Sequence, residues 1–95
     1  MSLDEEFEAR VLDAKGVKVV VFFTPWCHAS AKLSLKLSDT VFRYDLEISR
    51  KFGKLLDVKA TPTLIRFMDG EEVDRKVGDL NEATLETWLT LLKET

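Results

Sequence analysis

An α/β fold, a four-stranded mixed sheet flanked by helices in the order α-β-α-β-α-β-β-α, is the class this sequence predicts. The first observation is the run Val17-Lys18-Val19-Val20-Val21-Phe22-Phe23, β-branched and aromatic with almost no polar break. Such a strand is buried on both faces and belongs to a sheet with helices above and below. The second is the placement of amphipathic, helix-period segments on either side of that run. The third is Asp69-Gly70, a hairpin signal joining two further strand-like runs late in the chain.

The elements follow in order. Leu3, Phe7, Val11 and Leu12 recur at helical spacing with Asp4, Glu5, Glu6 and Glu8 towards the N-terminal end, so residues 3–12 read as the first helix. The acidic group reads as a solvated helix start. Ala14-Lys15-Gly16 breaks the helix before the first strand, which Thr24-Pro25-Trp26 ends. From Cys27 to Leu37 the composition is helical, although the spacing of Leu33, Leu35 and Leu37 also fits period two. Residues 40–46, Thr40-Val41-Phe42-Arg43-Tyr44-Asp45-Leu46, are rich in β-formers and read as the second strand. Ile48, Phe52, Leu55 and Leu56 return to helical spacing in a short helix weakened by Gly53. Pro62 can stand only in a turn or at the start of the third strand, Leu64-Ile65-Arg66-Phe67-Met68. Beyond the hairpin, Glu72 to Val77 is polar enough to be a charge-protected edge strand, and Glu71-Glu72 reads as solubility at the hairpin tip. Gly78-Asp79 turns the chain into a last helix capped by Asn81, with Leu85, Trp88, Leu89 and Leu92 as its apolar stripe.

Ninety-five residues suit one domain, 1–95, because a second core would bury too little apolar surface to offset its chain entropy. An apolar fraction of 45% beside a charged fraction of 33% is ordinary for a soluble domain. Interspersed charges summing to -3 leave no basic stripe for nucleic acid. The longest apolar run is far shorter than the roughly 20 residues a membrane-spanning helix needs. An acidic N-terminus unlike a signal peptide points to the cytoplasm. One cysteine and one histidine cannot make an internal disulfide or a four-ligand zinc site.

Chemistry concentrates on Cys27, just after a buried strand and at the start of a helix. Unpaired N–H groups and the positive end of the helix dipole favour a thiolate there, and the thiolate is the attacking species in disulfide exchange. His28, if protonated, adds a cation beside the sulfur; as a plain exposed loop residue it does nothing, and the sequence leaves both open. Trp26, beside the cysteine at a strand end, suits a surface-lining role better than core packing.

Trp26-Cys27-x-x-Ser30 after such a strand, with Val58-Lys59-Ala60-Thr61-Pro62-Thr63 before a hairpin and Gly78 after it, resembles the thioredoxin superfamily over nearly the whole chain. The resemblance implies a thioredoxin-like fold and thiol–disulfide oxidoreductase activity on protein disulfides. It implies that Cys27 is the nucleophile, that Thr61-Pro62 forms a cis peptide opposite it, and that Trp26, His28, Thr61 and Pro62 bound the substrate groove. No metal or organic cofactor is implied, and electrons would come from a thioredoxin reductase or from glutathione to a monomeric protein.

Three departures limit the transfer. Ser30 stands in the resolving position, where a hydroxyl cannot attack a mixed disulfide, so the sequence carries either a serine in place of a native cysteine or a natural monothiol form. Val21 occupies the strand position where many members carry an acid that helps proton transfer; Arg43 and Glu47 are substitutes by strand position only. The segment before Thr61 is also short, with no strand ahead of the first helix. The competing expectation is a non-redox module that holds a partner peptide between Trp26 and Thr61-Pro62.

Overall fold

The computed structural model describes residues 2–25 and 41–78. Ser2 opens the first helix with a capping box: its hydroxyl accepts the Glu5 N–H at 3.2 Å, and the Glu5 carboxylate accepts the Ser2 N–H at 3.3 Å. Helix α1, Leu3–Phe7, passes directly into a π-helical segment, Glu8–Leu12. This wider turn departs from the uniform α-helix expected over residues 3–12, yet the predicted apolar positions still point inward. Phe7 and Val11 are fully buried, and Leu3 and Leu12 pack at the core margin.

Strand β1, Val17–Phe23, runs parallel to β2, Val41–Asp45, with Val21 opposite Arg43 and Phe23 opposite Asp45. On its other side β1 pairs antiparallel with β3, Thr63–Met68, and β3 pairs antiparallel with β4, Glu71–Val77, giving the sheet order β2-β1-β3-β4. Because successive side chains alternate faces, β1 divides into two buried sets. Val20 and Phe22 join Tyr44, Ile65 and Phe67 on the face covered by Phe7, Val11 and Phe52. Val19 and Val21, pointing the other way, are buried as well.

Asp69 and Gly70, with φ of 50° and 86°, form the hairpin turn between β3 and β4, conformations suited to a two-residue connection. The turn also closes the sheet's end: the Gly16 N–H donates to the Asp69 carboxylate at 2.7 Å, and the Asp69 N–H donates to the Gly16 carbonyl at 3.0 Å. Gly70 is required twice over, since a Cβ there would lie 2.2 Å from the Leu12 carbonyl oxygen. β4 is the exposed edge strand expected, and a register shift leaves Val73 unpaired between Glu72 and Asp74. Such a bulge blunts an edge against pairing with other chains.

Helix α2 is shorter than its apolar spacing suggests, spanning Lys51–Leu55. Asp45 explains the delay. Its carboxylate accepts the Glu47 N–H at 2.8 Å while its carbonyl accepts the N–H groups of Ile48 and Ser49, a local turn that competes with helix. Ile48 and Leu55 are consequently 74% and 68% exposed, and Phe52 carries the buried contact.

Two acidic groups that read as solvated in the sequence are structural. The hydroxyls of Tyr44 and Ser49 both donate to Asp4 Oδ1, the former at 2.5 Å, fastening α1 to the end of β2. Glu72 grips Arg75 through Nε and Nη2 at 2.6 Å each, and Arg75 Nη2 reaches the Leu56 carbonyl at 2.9 Å, tying β4 to the end of α2. That carboxylate holds the guanidinium pKa above its ordinary value.

Phe7 is the hub of the aromatic core, stacked on Phe52 at 4.4 Å and edge-on to Tyr44 at 5.4 Å. Phe7→Ala is expected to cost about 3–5 kcal/mol in urea unfolding. The hydrogen bonds from Ser49 and Tyr44 hold the Asp4 pKa below its ordinary 3.8. The fold therefore favours the ionised carboxylate, and its contribution is complete above that ordinary value and lost as pH falls through the lower folded one. Asp4→Asn should be less stable than the parent at neutral pH and converge on it in strong acid, as followed by chemical denaturation across pH.

Candidate functional site

The parallel pair β1 and β2 ends on the same side of the sheet as the start of β3 and the end of β4, so four chain ends converge there. Carboxyl ends of parallel strands are where open α/β sheets hold ligands. The Leu46 N–H donates to the Phe23 carbonyl at 3.0 Å, extending the β1–β2 register to the last residue of β1. Thr24 follows, and its hydroxyl lies 3.3 Å from that of Thr61, 37 residues away. The Thr61–Pro62 peptide bond is cis, the geometry the resemblance implies. Pro62 is buried, and its carbonyl accepts the Gly78 N–H at 3.0 Å, so the turns before β3 and after β4 are joined. Thr63 is buried with its hydroxyl satisfied, donating to the Ala60 carbonyl at 2.6 Å. These contacts bring Thr24, Thr61 and Pro62 together at the exit of β1.

Trp26, Cys27, His28 and Ser30 lie outside the described residues, as do the predicted helix from Cys27 to Leu37 and the last helix capped by Asn81.

Val21 is buried at 3% exposure on the face away from Phe7, so that position supplies an apolar contact and no acid. Of its two suggested substitutes, Glu47 is exposed beyond the end of β2, in the turn that Asp45 organises. Arg43 is different. Its guanidinium carbon sits 4.1 Å from the centre of the Phe23 ring, at the exit of β1. Sequence reasoning had no means of finding the Thr24–Thr61 hydroxyl pair, since nothing in either local pattern signals a contact across 37 positions.

A separate cleft of 380 Å³ lies between the β2–α2 turn and α2, bordered by Leu46, Glu47, Arg50, Lys54 and Val58; of the described candidates it includes Glu47 but neither Thr61 nor Pro62. Among the described residues no cluster of three His, Cys, Asp or Glu side chains is arranged to hold a metal ion. None of the described helices is long and apolar enough to cross a membrane.

Comparison with known proteins agrees with this geometry. The family model described as Thioredoxin matches residues 1–91. A thioredoxin from Chlamydia muridarum (strain MoPn / Nigg) is 34% identical over 73 residues, covering 68% of this chain and 72% of that protein. A thioredoxin from Rhodospirillum rubrum is 30% identical over 95 residues, covering 90% of this chain and 91% of its own. Among solved structures, a mutant thioredoxin from Halobacterium salinarum NRC-1 aligns with a TM-score of 0.76 at 25% identity, covering 90% of this chain and 81% of that one. The fold, a mixed sheet with the cis-proline turn beside the exit of β1, is thus the thioredoxin fold. The chain belongs to the thioredoxin family, a family of disulfide oxidoreductases.

The hydroxyl pair gives a direct check on how this end of the sheet is held. A double-mutant cycle of Thr24→Val and Thr61→Val, read by urea unfolding, should return a coupling of about 0.5–1 kcal/mol. Strict additivity would mean that the two hydroxyls do not bond.

Proposed function

We propose that this protein is a thiol–disulfide oxidoreductase acting on protein disulfides through Cys27, with Ser30 in the resolving position. The observation that carries the reading is the convergence of Thr24 and the Thr61–Pro62 turn at the exit of β1, immediately before Trp26-Cys27-x-x-Ser30, in a chain of the thioredoxin family. Trp26, His28, Thr61 and Pro62 border the groove that receives an extended segment of the partner protein. The Cys27 thiolate attacks one sulfur of the partner's disulfide. A bond forms between the two sulfurs as the partner's S–S bond breaks, and the departing thiolate takes the electron pair and then a proton from water.

The cycle halts at this mixed disulfide. A dithiol enzyme would complete it with a second cysteine, but the Ser30 hydroxyl is too weakly acidic to supply an attacking anion at neutral pH. An outside thiol, from glutathione or a reductase, must therefore attack the adduct; it releases the Cys27 thiolate and becomes disulfide-linked to the partner chain. The protein acts as a monomer in a reducing compartment such as the cytoplasm, where such thiols are maintained.

Ser30 also favours a second reading, a module that holds a peptide in the same groove without redox chemistry. The two separate cleanly. Oxidised glutathione added to the reduced protein at neutral pH should give a stable adduct at Cys27 by mass spectrometry. Cys27→Ala should abolish it, and Ser30→Cys should shorten its lifetime by opening a path to an internal disulfide. No adduct at Cys27 would overturn the exchange reading, and peptide binding unchanged in Cys27→Ala would then favour the module.

A further inference from the structure

We propose that the cleft between the β2–α2 turn and α2 is a binding site for a free α-amino acid with an aliphatic side chain.

The cleft is built before any ligand arrives. One wall is the turn after β2, held by the Asp45 carboxylate and carbonyl and by the Ser49 hydroxyl, which donates to Asp4 Oδ1. The other is α2, whose end is closed by the Val58 N–H donating to the Gly53 carbonyl at 2.8 Å, while Arg75 holds the Leu56 carbonyl. Gly53 lets this wall approach Leu46 closely, since a Cβ there would lie 2.7 Å from Leu46 Cδ2. Walls fixed in this way spare a ligand the entropic cost of ordering them.

At 380 Å³ the cleft falls at the small end of the roughly 300–1,000 Å³ range of ligand pockets. Its floor is apolar: Gly53 is buried, and Leu46 and Val58 are packed against the core. Charges of both signs surround that floor. Arg50, the N-cap residue of α2, and Lys54, four residues on, carry the cations, and Glu47 carries a carboxylate from the turn. All three side chains are exposed, and among the described residues none of their charged heads has an ion pair or a hydrogen bond. Asp57, the remaining charged residue of the lining, already pairs with Lys59 at 3.7 Å.

This combination selects the ligand. A simple carboxylate would be drawn by Arg50 and Lys54 and opposed by Glu47, and a simple amine would meet the reverse. A dipolar ion answers both, its carboxylate towards Arg50 and Lys54 and its ammonium towards Glu47. The floor then receives the side chain, and because Leu46 and Val58 are aliphatic it suits a branched aliphatic group. A protein terminus carries only one of the two charges on its last residue, so the arrangement favours the free amino acid over the end of a chain.

Titration of the full-length protein with L-leucine, followed by the backbone amide shifts of Leu46, Glu47, Gly53, Lys54 and Val58, tests the proposal. Saturable shifts with a Kd on the order of 1 mM are expected. Leucinamide, which lacks the carboxylate, and N-acetylleucine, which lacks the ammonium, should each bind about twofold to fivefold more weakly. Either of them binding as tightly as leucine, or shifts still linear in leucine at roughly twenty times that Kd, would overturn the proposal. These ligand comparisons use the parent protein, so they stand whether or not a variant folds. Glu47→Gln adds a second arm: it should weaken leucine about twofold to fivefold and leave N-acetylleucine no weaker, because only leucine has the ammonium. An equal loss for both ligands would mean that Glu47 shapes the cleft without reading charge, and would overturn the dipolar assignment. No sulfur chemistry enters the measurement, so its outcome is independent of the exchange reaction at Cys27.

Discussion

Burial of β1 on both faces is the constraint from which the rest of the structure follows. A central strand of this composition has no solvent-facing side, so chain must cover it above and below. On one face Phe7 supplies the cover, meeting Phe22, Tyr44, Phe52 and Phe67 in a single aromatic group. Ring-to-ring contact of this kind is directional as well as apolar, so it sets the angle at which the first helix crosses the sheet. With β1 held between β2 and β3, its exit point at Phe23 is fixed.

Polar groups in this protein work at the ends of elements. Asp4 reaches from α1 to two hydroxyls beside β2, Glu72 and Arg75 secure the edge strand to α2, and Asp69 ties the hairpin turn to Gly16. Each replaces water around groups that secondary structure leaves unpaired. Arg43, by contrast, is seated on the Phe23 ring at the exit of β1.

The elements were legible wherever a local pattern decided them. The bounds of β1, the Asp69-Gly70 turn and the edge character of β4 follow from residue type and alternation within a few positions. The start of α2 was not legible from apolar spacing, because the Asp45 side chain redirects the following backbone into a turn and leaves Ile48 in solvent. Nor was the role of Asp4: four acidic residues near a helix start look alike until Tyr44 and Ser49, 40 and 45 residues away, choose one of them.

By itself the sequence determined the α/β class, the strand that must be central, and the thiol motif Trp26-Cys27-x-x-Ser30 beside a Thr61-Pro62 pair. These are matters of composition and short-range order, which the chain carries whatever its neighbours do. Only the tertiary structure decided that Thr24 meets Thr61, that Arg43 seats its guanidinium on Phe23, and that Asp4 rather than Glu5 or Glu6 fastens the first helix. Contacts of that sort depend on register and on the angle between packed elements, and both are set by the sum of burial over the whole core rather than by any one segment.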